Sequence, residues 1–224
     1  MAKQLQTFET PFDVYAELGL LGEGGAGRVY EVRNDKGQTF ALKCLSPDRI
    51  TAERRKRFKN EIGFCQSTLH RNIVRVLDTG ILSLKGVMCP FYVMPKCKGT
   101  LRSLIASTPA TQVIALFAQV LDGVEAAHKL DVWHRDLKPE NILWDGSSLV
   151  IADFGIAHFE EEAIYTAVET KVASRMANFM YSAPEQRARG ASVDRRADVF
   201  SLGLILNEMF THEVPQGAGY RTIG

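Results

Sequence analysis

Apolar and polar positions change period several times along the chain, and each change marks an element. From Tyr15 the apolar positions fall in short runs, residues 18–21, 29–32 and 39–45, with Asn34-Asp35-Lys36-Gly37 as a turn before the last. Such runs predict three antiparallel strands. Residues 48–69 read as one or two helices whose basic run, residues 54–57, is a solvated face. Residues 72–78 and 81–87 continue the sheet, and 89–94 form its last strand. Val113, Leu116, Phe117, Val120, Leu121 and Val124 recur at three- and four-residue steps, which predicts an amphipathic helix ending before Asp131. The apolar runs 142–144 and 149–152, split by Asp145-Gly146-Ser147-Ser148, form a hairpin. Residues 198–210 are apolar on most sides, the pattern of a helix buried in a core, with Asp198 placed to cap its start. Residues 1–12 are a polar lead-in that the pattern leaves unassigned.

Bulk properties narrow the function classes. The 224 residues are 46% hydrophobic and 24% charged, with a formal net charge of +1, so nothing argues for a nucleic-acid or membrane-surface partner. Length allows one large domain or two lobes. Cys44, Cys65, Cys89 and Cys97 show no Cys-x-x-Cys spacing, and reduced core thiols of a cytoplasmic protein are the expected reading. No apolar run reaches bilayer length and no signal peptide opens the chain.

Chemistry concentrates in His134-Arg135-Asp136-Leu137-Lys138-Pro139-Glu140-Asn141 and, after the hairpin, Asp153-Phe154-Gly155. Asp136 suits proton acceptance from an attacking hydroxyl, while Asn141 and Asp153 offer hard oxygen ligands suited to Mg²⁺. Pro139 biases Lys138 away from helical angles, so the stretch is a rigid loop. The hairpin returns Asp153 beside Asn141. Gly22, Gly24 and Gly27, with Val29 behind them, fit Gly-x-Gly-x-x-Gly-x-Val, where bare backbone amides can approach a polyphosphate. A dinucleotide-binding unit would follow such glycines with a helix, and here a strand follows. Ala41 and Lys43 share one face of the third strand, about 6–7 Å apart.

These two motifs, in this order, resemble the catalytic loop and metal-binding triplet of the eukaryotic-type (Hanks-type) serine/threonine protein kinases. The resemblance implies an α+β, two-lobed fold. Its small antiparallel β-sheet lobe with one main helix spans residues 13–94, a hinge spans 95–99, and a mostly helical large lobe spans 100–224. It also implies ATP with Mg²⁺ as cofactors and protein Ser/Thr hydroxyls as acceptors. Asp136 is then the base, Lys138 steadies the transferring phosphoryl, and Asn141 and Asp153 hold the metal. Lys43, paired with Glu61, positions the α- and β-phosphates under the glycine loop. Val29 and Ala41 form the roof and Leu143 the floor of an adenine pocket backed by Met94, with the carbonyl of Pro95 and the amide of Cys97 on the adenine edge. Cys65 packs towards Phe154, and Asp198 anchors the catalytic loop through backbone amides. Residues 156–182 become an activation segment closed by Ala183-Pro184-Glu185, with Thr170 and Ser174 as the best-placed autophosphorylation acceptors beside Arg135.

The chain departs from the family at Ala26, Pro95-Lys96 and Ala177-Asn178, and the large lobe stops at Gly224, short of the helices that usually follow. A truncated lobe leaves the Glu185 position as a buried carboxylate without its usual arginine and exposes an apolar patch on the helix at 198–210. Two other classes share the architecture: an ATP-binding pseudokinase or inactive fragment acting as a scaffold, and a small-molecule phosphotransferase. The second generally lacks the Lys-Pro-Glu-Asn run.

Overall fold

The computed structural model describes residues 5–24, 27–84, 86–154, 180–187, 191–215 and 222. The chain is α+β and forms two compact units, one comprising Met1–Leu69 with Val74–Cys97, the other His70–Ile73 with Lys98–Gly224.

The first unit is a six-stranded antiparallel sheet with one long helix. Its strands are β1 (Thr7–Glu9), β2 (Val14–Gly24), β3 (Gly27–Asn34), β4 (Thr39–Cys44), β5 (Asp78–Leu84) and β6 (Val87–Pro95), ordered β1-β2-β3-β4-β6-β5. Tyr30, Val32, Leu42, Cys44, Phe91 and Val93 alternate onto one face and bury there with Phe8, Tyr15 and Cys89. Helix α1 (Ala52–Ser67) starts where Thr51 accepts a hydrogen bond from the Arg54 amide, 3.1 Å. It buries Phe58, Glu61, Phe64 and Cys65, a stripe at helical spacing, while of the basic run Lys56 is exposed and Arg54, Arg55 and Arg57 are half-buried.

Three expectations change here. The lead-in contains β1, whose Phe8 is 0% exposed and sits 5.4 Å by ring centroids from both Tyr30 and Phe91. The flanking Thr7 and Glu9 are polar because only every second residue of a strand faces the core. Thr10 then donates its hydroxyl hydrogen to Asp78, 2.6 Å, as does Tyr15, 3.1 Å. Residues 72–77, expected as a strand of this sheet, lie outside the named strands. Asn72 and Ile73 belong to the second unit, where the Ile151 amide bonds the Asn72 carbonyl at 2.9 Å and Asn72 Nδ2 bonds the Leu149 carbonyl at 2.8 Å. The expected strand at 81–87 is instead β5, which begins at Asp78 and ends at Leu84, while Val87 opens β6.

The second unit carries β7 (Gly99–Thr100), α2 (Leu101–Ile105), α3 (Ala110–His128), β8 (Ile142–Trp144), β9 (Leu149–Ile151), α4 (Pro184–Arg187) and α5 (Arg196–Thr211). β7, β8 and β9 pair as a small sheet in that order. α3 buries Val113, Phe117, Val120, Val124 and Ala127, while Leu121 of the expected stripe is exposed. Gly123 lets α3 approach closely, since a Cβ there would stand 2.6 Å from the Asn72 carbonyl oxygen.

α5 is buried on one face rather than most. Leu202, Ile205 and Met209 are inside, and Val199 and Phe200 are exposed. Asp198 does not cap it, because Arg195 holds the capping position and the Asp198 carboxylate turns to the backbone of His134 and Arg135. Glu185 is half-buried, not buried. The four cysteines are free thiols: Cys44, Cys65 and Cys89 are core residues, as expected, but Cys97 is half-buried. Burial pushes the Cys44 thiol up to about 12. Among the described residues no helix is long and apolar enough to cross a membrane.

Candidate active site

In the first unit the register gathers the predicted residues on one sheet face. Val29 stands opposite Lys43, which stands opposite Tyr92, and Ala41 stands opposite Met94. Directly paired residues share a face, and so do residues two apart, so Val29, Ala41, Lys43 and Met94 line the side away from the aromatic core. On that side Lys43 Nζ meets Glu61 Oε1 of α1 at 2.8 Å, with the Lys43 side chain only 2% exposed. The same Glu61 oxygen accepts a hydrogen bond from the Tyr92 hydroxyl, 2.9 Å. Tyr92 was not singled out in the sequence, where it reads as one more core aromatic in an apolar strand.

Among the glycines, Gly27 is sterically required. It lies at φ +125°, and a Cβ would meet the Cys44 carbonyl oxygen at 2.4 Å. Gly22 and Gly24 face open space. The Arg49 guanidinium donates to the Gly24 carbonyl, 2.6 Å. Pro95 ends β6 and is exposed, and Cys97 follows it.

In the second unit the loop is held from three sides. Asp198 Oδ1 accepts the Arg135 amide at 2.7 Å, and its Oδ2 accepts the His134 amide at 2.8 Å and lies 2.8 Å from His128 Nε2. Burial raises the Asp198 pKa, but the His128 hydrogen bond and the two amides outweigh it, leaving the carboxyl below its ordinary range. Arg135 takes φ +61°, a left-handed conformation that these bonds hold in place. His134 Nε2 donates to the Ala152 carbonyl, 2.9 Å, so its Nδ1 is free of a proton and accepts the Asp136 amide at 3.3 Å. The third hold is Glu140, which Arg102 of α2 grips at 2.7 Å.

Within this frame Asp136, Lys138 and Asn141 come together. Lys138 Nζ lies 2.8 Å from Asp136 Oδ2, and Asn141 Nδ2 bonds the Asp136 carbonyl at 2.8 Å and Oδ2 at 3.2 Å. Because the Asn141 amide nitrogen is committed to Asp136, its oxygen is the atom left to act as a ligand. The Ala152 amide bonds the Asn141 carbonyl at 2.9 Å, which brings Asp153 next to Asn141, as the hairpin predicts. Asp153 is at φ +60° and half-buried, and Phe154 packs on His134 with ring centroids 4.9 Å apart. Leu143 is half-buried on β8, opposite Thr100 and Val150.

Arg102 was also missed, since a helix-borne arginine ordinarily reads as surface. Besides Glu140 it bonds Glu208 of α5 and the Tyr181 hydroxyl, the latter at 2.6 Å, and Tyr181 in turn donates to Glu208. Burial lowers the Arg102 pKa, but the bonds to Glu140 and Tyr181 raise it further. Gly155, Ala26, Ala177-Asn178 and the candidate acceptors Thr170 and Ser174 lie outside the described residues.

Residues 15–222 match the family model described as protein kinase domain. The chain is 35% identical over 207 residues to serine/threonine-protein kinase PknB of Mycobacterium leprae, covering 89% of this chain and 33% of that protein. It is 36% identical over 207 residues to a probable serine/threonine-protein kinase of Clostridium perfringens, covering 90% and 29%. Serine/threonine-protein kinase A of Synechocystis is 33% identical over 223 residues, covering 90% and 41%. The chain thus spans roughly a third of the length of such relatives.

Proposed function

This chain belongs to the protein kinase domain family, and from that premise we propose that it transfers the γ-phosphoryl group of ATP to serine or threonine hydroxyls of proteins. The observation that carries the proposal is the arrangement at Asp136, whose carboxylate is half-buried, bonded to Lys138 and fixed by Asn141.

Asp136 orients the acceptor hydroxyl and takes its proton as the new P–O bond forms. Lys138 keeps a cation beside that carboxylate, where the transferring phosphoryl carries its charge. The Asn141 oxygen and the Asp153 carboxylate are hard donors that fit Mg²⁺, which when bound neutralises phosphate charge. Lys43, held by Glu61, directs an ammonium at the α- and β-phosphates, and the backbone at Gly22–Gly27 covers them. Val29, Ala41 and Met94 pack on the adenine, with the Pro95 carbonyl and Cys97 amide at its edge. Lys138, two places after the base, is similar to serine/threonine kinases and supports that acceptor class. Autophosphorylation at Thr170 or Ser174 and a cytoplasmic location belong to the same proposal.

The test is Asp136→Asn, assayed with Mg·ATP and a generic Ser/Thr substrate such as casein. ATP affinity is expected to stay within about threefold of the parent, while transfer falls by roughly 10²–10⁴. Transfer at the parent rate would remove Asp136 as the base.

A further inference from the structure

We propose that Tyr92 is a positioning residue, latching helix α1 to the sheet through Glu61 so that the Lys43–Glu61 pair is assembled before nucleotide arrives. The consequence for catalysis rests on the phosphotransfer reading above; the latch itself rests on geometry within the first unit.

Tyr92 lies directly opposite Lys43 in the β4–β6 register, so both side chains rise from the same sheet face. It is 0% exposed. One carboxylate oxygen, Glu61 Oε1, receives both the ammonium at 2.8 Å and the phenol at 2.9 Å. The Tyr92 ring also packs on Phe58, 5.3 Å between centroids, and the two rings stand 5.7 and 5.8 Å from Lys43 Nζ. Phe58 and Glu61 are one helical turn apart on α1. A single residue of β6 therefore grips the helix twice, once through ring packing and once through a charge-assisted hydrogen bond.

Swinging Glu61 away from Lys43 breaks more than the ion pair. It also takes the Glu61 acceptor from a buried phenol hydroxyl, a cost in addition to the separation of charge. The paired arrangement is thereby favoured over any arrangement in which α1 has moved out, independently of what occupies the nucleotide site. The competing role for Tyr92 is that of an ordinary core aromatic whose hydroxyl merely finds an acceptor. Under that role Tyr92→Phe removes the group and its need together and is nearly neutral.

The experiment is amide hydrogen exchange on the whole chain, parent and Tyr92→Phe, with and without saturating Mg·ATP. Phenylalanine keeps the ring and its packing. In the nucleotide-free variant, amides of residues 58–65 are expected to exchange about tenfold faster than in the parent, the size of a lost hydrogen bond to a charged group. Amides of β3, β4 and β6 keep parent rates, and nucleotide closes most of the gap on α1. In a Glu61→Leu background the same substitution changes α1 exchange by less than about twofold, since the acceptor of the Tyr92 hydroxyl is already gone. Exchange within twofold of the parent, or acceleration of sheet and helix alike, overturns the latch. The readout needs no turnover, so it separates from the Asp136 test: a chain without phosphoryl transfer still reports whether Tyr92 holds α1.

Discussion

Asp198 of α5 accepts the backbone amide of Arg135 at 2.7 Å across a separation of 63 residues. Its second oxygen takes the His134 amide, so one buried carboxylate fixes two consecutive peptide groups immediately before Asp136. The fold delivers the proposed base through main-chain geometry set by a helix far along the sequence.

Asp198→Asn keeps one acceptor and turns an NH₂ group on the other amide. Stability at pH 7 is expected to drop by about 2 kcal/mol, the cost of an unsatisfied buried donor. The pH dependence has a definite sign. The Asp198 carboxyl is held below its usual range in the folded protein, so its contribution is complete above the unfolded value near 3.9 and disappears as pH falls through the lower folded value. Urea titrations of parent and variant at descending pH check this: the gap narrows in acid. A gap that keeps its full size down to acid unfolding contradicts the assignment.

Arg102 supplies the guanidinium to Glu208, whose side chain is 2% exposed. Arg102→Leu leaves that carboxylate buried beside Tyr181 without a cation. Because Arg102 is itself partly exposed, the expected loss is toward the lower end for broken buried pairs, about 2–3 kcal/mol. That corresponds to roughly 5–10 °C in Tm for a chain of this size. Arg102→Lys recovers only part, since an ammonium cannot span Glu140, Glu208 and Tyr181 as the planar fork does. Thermal melts of the two variants decide it, and equal melting of Lys and Arg forms would refute the three-way grip.

Gly27→Ala places a Cβ against the Cys44 carbonyl at a backbone angle that L-residues rarely take, and is expected to cost about 1–3 kcal/mol. Gly22→Ala and Gly24→Ala meet nothing and stay within roughly 1 kcal/mol of the parent. Nucleotide titration of the last two therefore reads the phosphate site without a folding defect. Comparable melts for all three substitutions would overturn the distinction.

Local pattern and motif carried much of this molecule. The third strand with Ala41 and Lys43 on a common face, the hairpin that returns to Asn141, and α3 with Val113, Phe117 and Val120 inside all follow from period and turn chemistry. The apolar character of α5 was visible, but not which face is covered, because that depends on neighbours rather than on its own residues. β1 escaped since a three-residue strand has a single inward position, Phe8, and one residue shows no period. The stretch at 72–77 misled because Asn72 spends its hydrogen bonds on Leu149 and Ile151, partners that lie 77 or more residues on. Tyr92 and Arg102 share that difficulty: each matters through distant carboxylates, and neither spacing nor hydropathy announces a distant partner.

Phe8 has a practical consequence for anyone trimming this protein. The family match begins at residue 15, and a recombinant boundary drawn there discards the ring that covers Tyr30 and Phe91, along with the Thr10 hydroxyl that Asp78 accepts. Such a shortened chain would present a fresh greasy edge at one end of its sheet, prone to self-association. Its insolubility would then reflect a missing plug of a few residues and carry no information about catalysis.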